Sequence, residues 1–206
     1  MANLRSILAL GPVMPVIVIN DAEDGVPLAE ALLEGGINVI EITLRTAAAL
    51  GAMEKIAVSC PDMVIGAGTV LDGSQAVRAK EAGAVFAVSP GATMALIEGC
   101  AEAGLDLLPG ASSASEAMAL YEKGFDAQKF FPAVPAGGVP FLKSLASPLP
   151  QITFCPTGGI TQQTASSFLA LDNVACVGGS WLATSTDIAD KNFSAITARA
   201  KDAAKL

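Results

Sequence analysis

The chain has 206 residues and a formal net charge of −8 with no acidic or basic block, which argues against nucleic acid as a partner, because phosphates demand a concentrated basic patch. It contains no histidine, so the usual zinc and copper sites and every histidine triad or general base are all but excluded, and proton transfer falls to Glu, Asp, Lys, Tyr, a thiol or water. Hydrophobic residues make up 52% with 20 glycines, enough small aliphatic material for a packed core, while no apolar run approaches the ~18 residues of a membrane span. The opening Met1 to Leu10 is too short and broken for a signal peptide. Cys60, Cys100, Cys155 and Cys176 lie far apart without CxxC spacing and read as buried free thiols in a reducing cytoplasm.

An opening helix is expected over about Ala2 to Leu10, ended by Gly11-Pro12. Pro15 to Ile19 is near-continuous Val and Ile, the pattern of a strand covered on both faces, and Asn20-Asp21 offers a cap for a helix to about Leu33. Ile37 to Leu44 is again apolar and β-branched. The alternation continues with a helix to about Val58, strand Met63–Ala67, helix Ser74–Glu81, strand Val85–Val88, helix Thr93–Ala103, strand Leu105–Leu108, helix Ser115–Glu122 and strand Phe125–Lys129. It closes with helix Gly138–Leu145, strand Gln151–Cys155, helix Thr161–Leu169, strand Val174–Val177 and helix Asp187–Ala204. A repeat marks four helix-to-strand joints: Glu34-Gly35-Gly36, Glu81-Ala82-Gly83, Glu102-Ala103-Gly104 and Glu122-Lys123-Gly124. Each glycine suits the left-handed position that ends a helix. Eight strands, each followed by a helix at steady spacing, predict a single-domain (β/α)8 TIM barrel with an N-terminal helix, whose chemistry belongs at the C-terminal strand ends.

Those ends carry the informative residues. Lys129 follows a short apolar run and precedes Phe130, Phe131 and Pro132, whereas the other seven lysines sit in Ala- and Glu-rich helical stretches. It is either a lysine snorkelling from a strand end or a Schiff-base nucleophile, whose neutral form burial beside aromatics and a nearby cation would favour. Period-two alternation in Val39 to Arg45 puts Glu41, Thr43 and Arg45 on one face, read as a structural Glu41–Arg45 ion pair or as a proton shuttle beside a carboxylate anchor. Gly66-Ala67-Gly68-Thr69 leaves room over the mouth with Thr69 as a donor, Ser89-Pro90-Gly91 reads as loop geometry, and Asp106 as structural. Thr157-Gly158-Gly159 and Gly178-Gly179-Ser180 end strands seven and eight, where such barrels bind phosphate through bare backbone N–H groups.

Together these motifs resemble the class I 2-keto-3-deoxy-6-phosphogluconate (KDPG) aldolases, the KDPG/KHG aldolase family. The resemblance rests on Glu41-Ile42-Thr43-Leu44-Arg45-Thr46, Gly66-Ala67-Gly68-Thr69-Val70, Ser89-Pro90-Gly91, Lys129-Phe130-Phe131-Pro132-Ala133, Cys155-Pro156-Thr157-Gly158-Gly159-Ile160 and Gly178-Gly179-Ser180-Trp181, and covers Pro15 to about Leu182. It implies that Lys129 forms the Schiff base, Glu41 shuttles protons, and Arg45 with Thr69 holds a pyruvyl carboxylate. It further implies that Thr157 lies by the imine, that Gly158, Gly159, Gly179 and Ser180 receive the phosphate, and that Pro90 and Phe131 are also substrate-binding. The expected reaction is cleavage of a phosphorylated keto acid without metal or cofactor, by a cytoplasmic homotrimer. Two departures stand out. Pro109-Gly110-Ala111-Ser112-Ser113 replaces a more usual valine and threonine, and Ile19-Asn20 lacks the arginine common in phosphogalactonate-type relatives, which leans towards the gluconate branch. A 4-hydroxy-2-oxoglutarate aldolase and a non-catalytic phosphometabolite-binding or isomerase-type barrel are the alternatives.

Overall fold

Burial on both faces governs the strands: all five residues of the second strand are buried, Glu41 and Thr43 included. The computed structural model describes residues 4–206, so Ala2 and Asn3 of the expected first helix lie outside the described residues. The elements run α1 (Leu4–Leu8), β1 (Val13–Ile17), a single 3-10 turn (Ala22–Asp24) leading into α2 (Gly25–Glu34), β2 (Val39–Thr43), α3 (Ala49–Ser59), β3 (Val64–Gly68), α4 (Gly73–Glu81), β4 (Phe86–Val88) and α5 (Met94–Ala103). They continue with β5 (Asp106–Leu108), β6 (Gly110–Ala111), α6 (Ala114–Tyr121), β7 (Ala127–Phe130), α7 (Gly138–Ala146), β8 (Thr153–Pro156), α8 (Gln162–Leu169), β9 (Val177–Gly179), α9 (Ser185–Ala189) and α10 (Phe193–Ala203). The fold is α/β with parallel pairing throughout. Six strands form a curled sheet in the order β5-β4-β3-β2-β1-β9, and β6-β7-β8 form a second one.

Four expectations are corrected. The strand expected over Leu105–Leu108 stands as β5, but a further short strand, β6, follows it on a different ladder, because Pro109 has no N–H to continue the first one: β5 pairs with β4 and β6 with β7, while the Pro109 carbonyl accepts from Lys129 N at 2.9 Å. The last strand lies three residues later than Val174–Val177, since Val13, Met14 and Pro15 of β1 take Val177, Gly178 and Gly179 as partners; Val174 instead makes an isolated bridge to Phe154, and Thr157 one to Gly178. The first strand likewise starts at Val13, and Pro15 sits where its ladder with β9 ends and that with β2 begins.

The fourth correction is the helix expected over Asp187–Ala204, which divides. Asn192 N bonds Asp187 O, Lys191 N bonds Ile188 O, and Lys191 takes φ 56°, so α9 ends in the paired-bond motif that usually places glycine at the left-handed position. The four glycine joints form the same motif: Gly36, Gly83, Gly104 and Gly124 all have positive φ, and the next residue in each case bonds back five positions, as Ile37 does to Leu32.

The core fills the space between sheets and helices. Phe130, on the outer face of β7, stacks on Phe141 of α7 with centroids 5.4 Å apart and meets Phe154 of β8 edge-on at 6.4 Å. All four cysteines are free and buried. Arg5 of α1 straps the lower ends of β7 and β8, donating to Asp126 Oδ2 and to the Gln151 carbonyl, each at 2.7 Å. No helix among the described residues is long and apolar enough to cross a membrane. Because Phe154 is fully buried and also joins β8 to the strand-like segment at Val174, Phe154→Ala is expected to cost about 3–5 kcal/mol, read as a lower urea midpoint at unchanged m-value.

Candidate active site

The site begins with a lysine on a fully buried strand. All four residues of β7 are buried. The outward pair, Gln128 and Phe130, bonds α6 through the Ala117 carbonyl and stacks on α7, which leaves Lys129 facing the other way, in register with Gly110 on one side and Cys155 on the other. Lys129 is 4% exposed, so it does not snorkel out of the strand end. Its Nζ donates to Glu41 Oε1 at 3.2 Å, with the two side chains 5% and 2% exposed, and lies 5.3 Å from the centre of the Phe131 ring.

Burying both charges costs several kcal/mol per ion, repaid only when each finds its partner. The Phe131 face adds a cation–π contact. The arrangement puts a carboxylate within proton-transfer distance of an amine in a region nearly free of water, which is what imine chemistry asks of a lysine and a general base.

Arg45, expected on one face with Glu41 and Thr43, has a separate surrounding. It lies beyond the end of β2, is exposed, and donates through Nε to Thr69 Oγ1 at 3.1 Å. The Glu41–Arg45 ion pair is therefore replaced by two contacts, Glu41 with Lys129 and Arg45 with Thr69. Thr43 is spoken for by the Ile17 carbonyl at 2.8 Å. Thr69 has φ 58°, a left-handed conformation that a β-branched residue adopts only under constraint and that clusters at functional sites. Nothing in the sequence flagged that strain.

Across the site, Thr157 is 7% exposed and sits beside Gly178, where a Cβ would lie 2.2 Å from its Oγ1. Gly158 and Gly159 follow with φ 106° and 78°, a consecutive left-handed pair that leaves bare backbone at the surface. Gly179 is buried under the indole of Trp181, while Ser180 beside it is exposed and helps line a cavity of about 240 Å³ with Val16, Val18, Ala183, Thr184 and Ser185. The Pro90 carbonyl presses on Gly110, the partner of Lys129, 2.3 Å from where a Cβ would be.

Sequence reasoning passed over one neighbour of the lysine. Cys155 Sγ lies 3.6 Å from Cys176 Sγ and 4.0 Å from Thr157 Oγ1. The hydrogen bond to Cys155, with burial and the proximity of the Cys155 sulfur and the Glu41 carboxylate, pushes the Cys176 thiol well up, so it stays protonated. Among the described residues no three carboxylate or thiol groups converge where a metal ion could sit.

The family described as KDPG and KHG aldolase matches residues 4–199. The 2-dehydro-3-deoxy-phosphogluconate aldolase of Pseudoalteromonas atlantica is 46% identical over 199 residues, 97% of this chain and 93% of the relative. The KHG/KDPG aldolase of Escherichia coli K12 is 44% identical over 201 residues, 98% and 94% of the two chains. Among solved structures, KDPG aldolase from Legionella pneumophila, with pyruvate captured at low pH as a covalent carbinolamine intermediate, superposes with a TM-score of 0.95 at 45% identity over 98% of both chains.

The strained backbone at Thr69 yields a prediction. Asparagine tolerates the left-handed region better, so Thr69→Asn is expected to raise stability by roughly 0.5–1 kcal/mol, measured as a higher urea midpoint.

Proposed function

This chain belongs to the KDPG and KHG aldolase family, and from that premise we propose that Lys129 and Glu41 carry out a class I aldol cleavage of 2-keto-3-deoxy-6-phosphogluconate to pyruvate and D-glyceraldehyde 3-phosphate. The observation that carries this reading is the buried contact of 3.2 Å between Lys129 Nζ and Glu41 Oε1. Breaking a C–C bond next to a keto group leaves a carbanion, and a protonated imine at that carbon is its electron sink.

Glu41 takes a proton from the Lys129 ammonium, and the neutral amine attacks the C2 carbonyl to give a carbinolamine, which loses water as Glu41 returns the proton. Glu41 then takes the C4 hydroxyl proton, the C3–C4 bond breaks, its electrons pass into the imine, and the aldehyde leaves. Protonation of the enamine at C3 and hydrolysis release pyruvate and free Lys129. Arg45 and Thr69 hold the substrate carboxylate, and Thr157 lies by the imine. Phe131 shields Nζ from water, and Pro90 closes the wall beside Gly110. The left-handed Gly158 and Gly159 with Gly179 and Ser180 receive the phosphate.

The same reading assembles the two sheets into one (β/α)8 barrel in a single domain. It is supported by the continuity of β5 and β6 through Pro109 and by the bridges from β8 to the segment entering β9, which itself pairs with β1. A cytoplasmic homotrimer completes it, a state that light scattering checks against three times the 20.7 kDa chain mass.

Borohydride reduction in the presence of pyruvate is expected to leave a stable adduct on Lys129 and none in Lys129→Ala; mass spectrometry that finds no adduct on the unmodified chain overturns the mechanism. Glu41→Gln is expected to lower kcat by about 10²–10⁴-fold. A second substrate, 4-hydroxy-2-oxoglutarate, is favoured by the name KHG/KDPG aldolase of the Escherichia coli relative. The two substrates share the end that meets Lys129 and differ at the phosphate. Ser180→Ala is therefore expected to lower kcat/KM for the phosphorylated substrate and leave that for 4-hydroxy-2-oxoglutarate unchanged, and equal losses for both would remove Ser180 from the phosphate site.

A further inference from the structure

On the inner face of β3 two glycines stand where side chains belong, and neighbours from either side fill both slots. A Cβ on Gly66 would lie 2.2 Å from Cζ of Phe86, a ring from β4. A Cβ on Gly68 would lie 2.3 Å from Glu41 Oε1, 2.7 Å from its Cγ and 2.9 Å from its Cδ. Neither glycine has a positive φ, so the backbone supplies no reason for them, and glycine in a strand interior gives up conformational entropy and packing. The reason is space. Glu41 is in register with Gly66, and Gly68 with Thr43, so the Glu41 side chain runs diagonally across β3 to the next level, a reach that neighbouring strands allow.

We propose that Gly68 is a positioning residue for the aldol cleavage: its missing side chain is the slot that holds the Glu41 carboxylate against Lys129 Nζ. This rests on the reading of Lys129 as nucleophile and Glu41 as proton carrier. The oxygen that accepts from Nζ at 3.2 Å is the one that a Gly68 Cβ would meet, so a methyl group there and the Lys129 contact compete for a single position. The three nearest atoms all belong to Glu41. They form the end of a flexible side chain, so the strand accommodates alanine by turning the carboxylate aside, leaving the fold intact and the base misplaced. Displacement of about an ångström from reacting geometry is enough to cost roughly 10²-fold in rate.

The test is a mutant cycle of Gly68→Ala with Glu41→Gln, read by steady-state kinetics, thermal melting and borohydride trapping with pyruvate. Gly68→Ala is expected to fold with a lowered melting temperature, because the buried pair is loosened, to lower kcat about 100-fold and to change KM by less than about threefold. In the Glu41→Gln background the same change should alter kcat by less than about twofold, because no carboxylate is left to place. Glu41→Ala, which removes all three atoms nearest the methyl group, should cost less in Gly68→Ala than in the unmodified chain. Unaltered kcat in Gly68→Ala, or equal losses in the two backgrounds, overturns the proposal. If Gly68→Ala fails to fold, recovery of the fold by Glu41→Ala, which empties the slot, supports it, and failure to recover overturns it. An unmodified chain that neither turns over nor traps pyruvate instead overturns the reading on which it rests.

Discussion

A lysine and a carboxylate, each almost wholly removed from water, meet at 3.2 Å in the middle of this protein, and the surrounding structure answers to that contact. Neither charge is tolerable in such a place alone. Gly110 and Cys155 flank the lysine on its two neighbouring strands, and the Phe131 ring covers its end. The break at Pro109 serves the same end, since the carbonyl of a residue that cannot continue one ladder anchors the Lys129 amide in the other.

Around the pair, much of the design consists of volume left out. Phe86 occupies the place above Gly66, Glu41 that above Gly68, Thr157 that above Gly178 and Trp181 that above Gly179. A strand poor in side chains of its own is weaker by itself, and here the neighbours supply the packing it lacks. The outcome is that a carboxylate on β2 reaches across β3, and the hydroxyl of Thr157, just past β8, lies close over the backbone of β9. Strain at Thr69 is the other local cost, held in place by Arg45 in the manner of sites where backbone energy is traded for placement.

Several features were legible in the chain because their causes are local. The glycine-ended helices bore out as one motif repeated four times, since a left-handed residue after a helix is a matter of a few dihedral angles. Lys129 stood out because a charge after an apolar run is anomalous wherever the strand goes. The division of α9 from α10 stayed hidden because Lys191, with a side chain, takes the position that glycine usually advertises. The split at Pro109 was missed for a related reason, as a proline marks a lost hydrogen bond without saying which neighbour loses it.

By itself, then, the sequence determined the alternation of strands and helices, the exclusion of histidine chemistry, and the motifs that resemble the aldolase family to which the chain belongs. Only the tertiary structure decided that Glu41 meets Lys129, 88 positions further along the chain, that Arg45 turns to Thr69, and that Gly68 makes room for a carboxylate. Periodicity shows which face a residue occupies, because that is fixed by the backbone within a few residues. The partner it meets depends on strand register and on which slots the neighbouring strands leave empty, and both are set by packing across the whole chain.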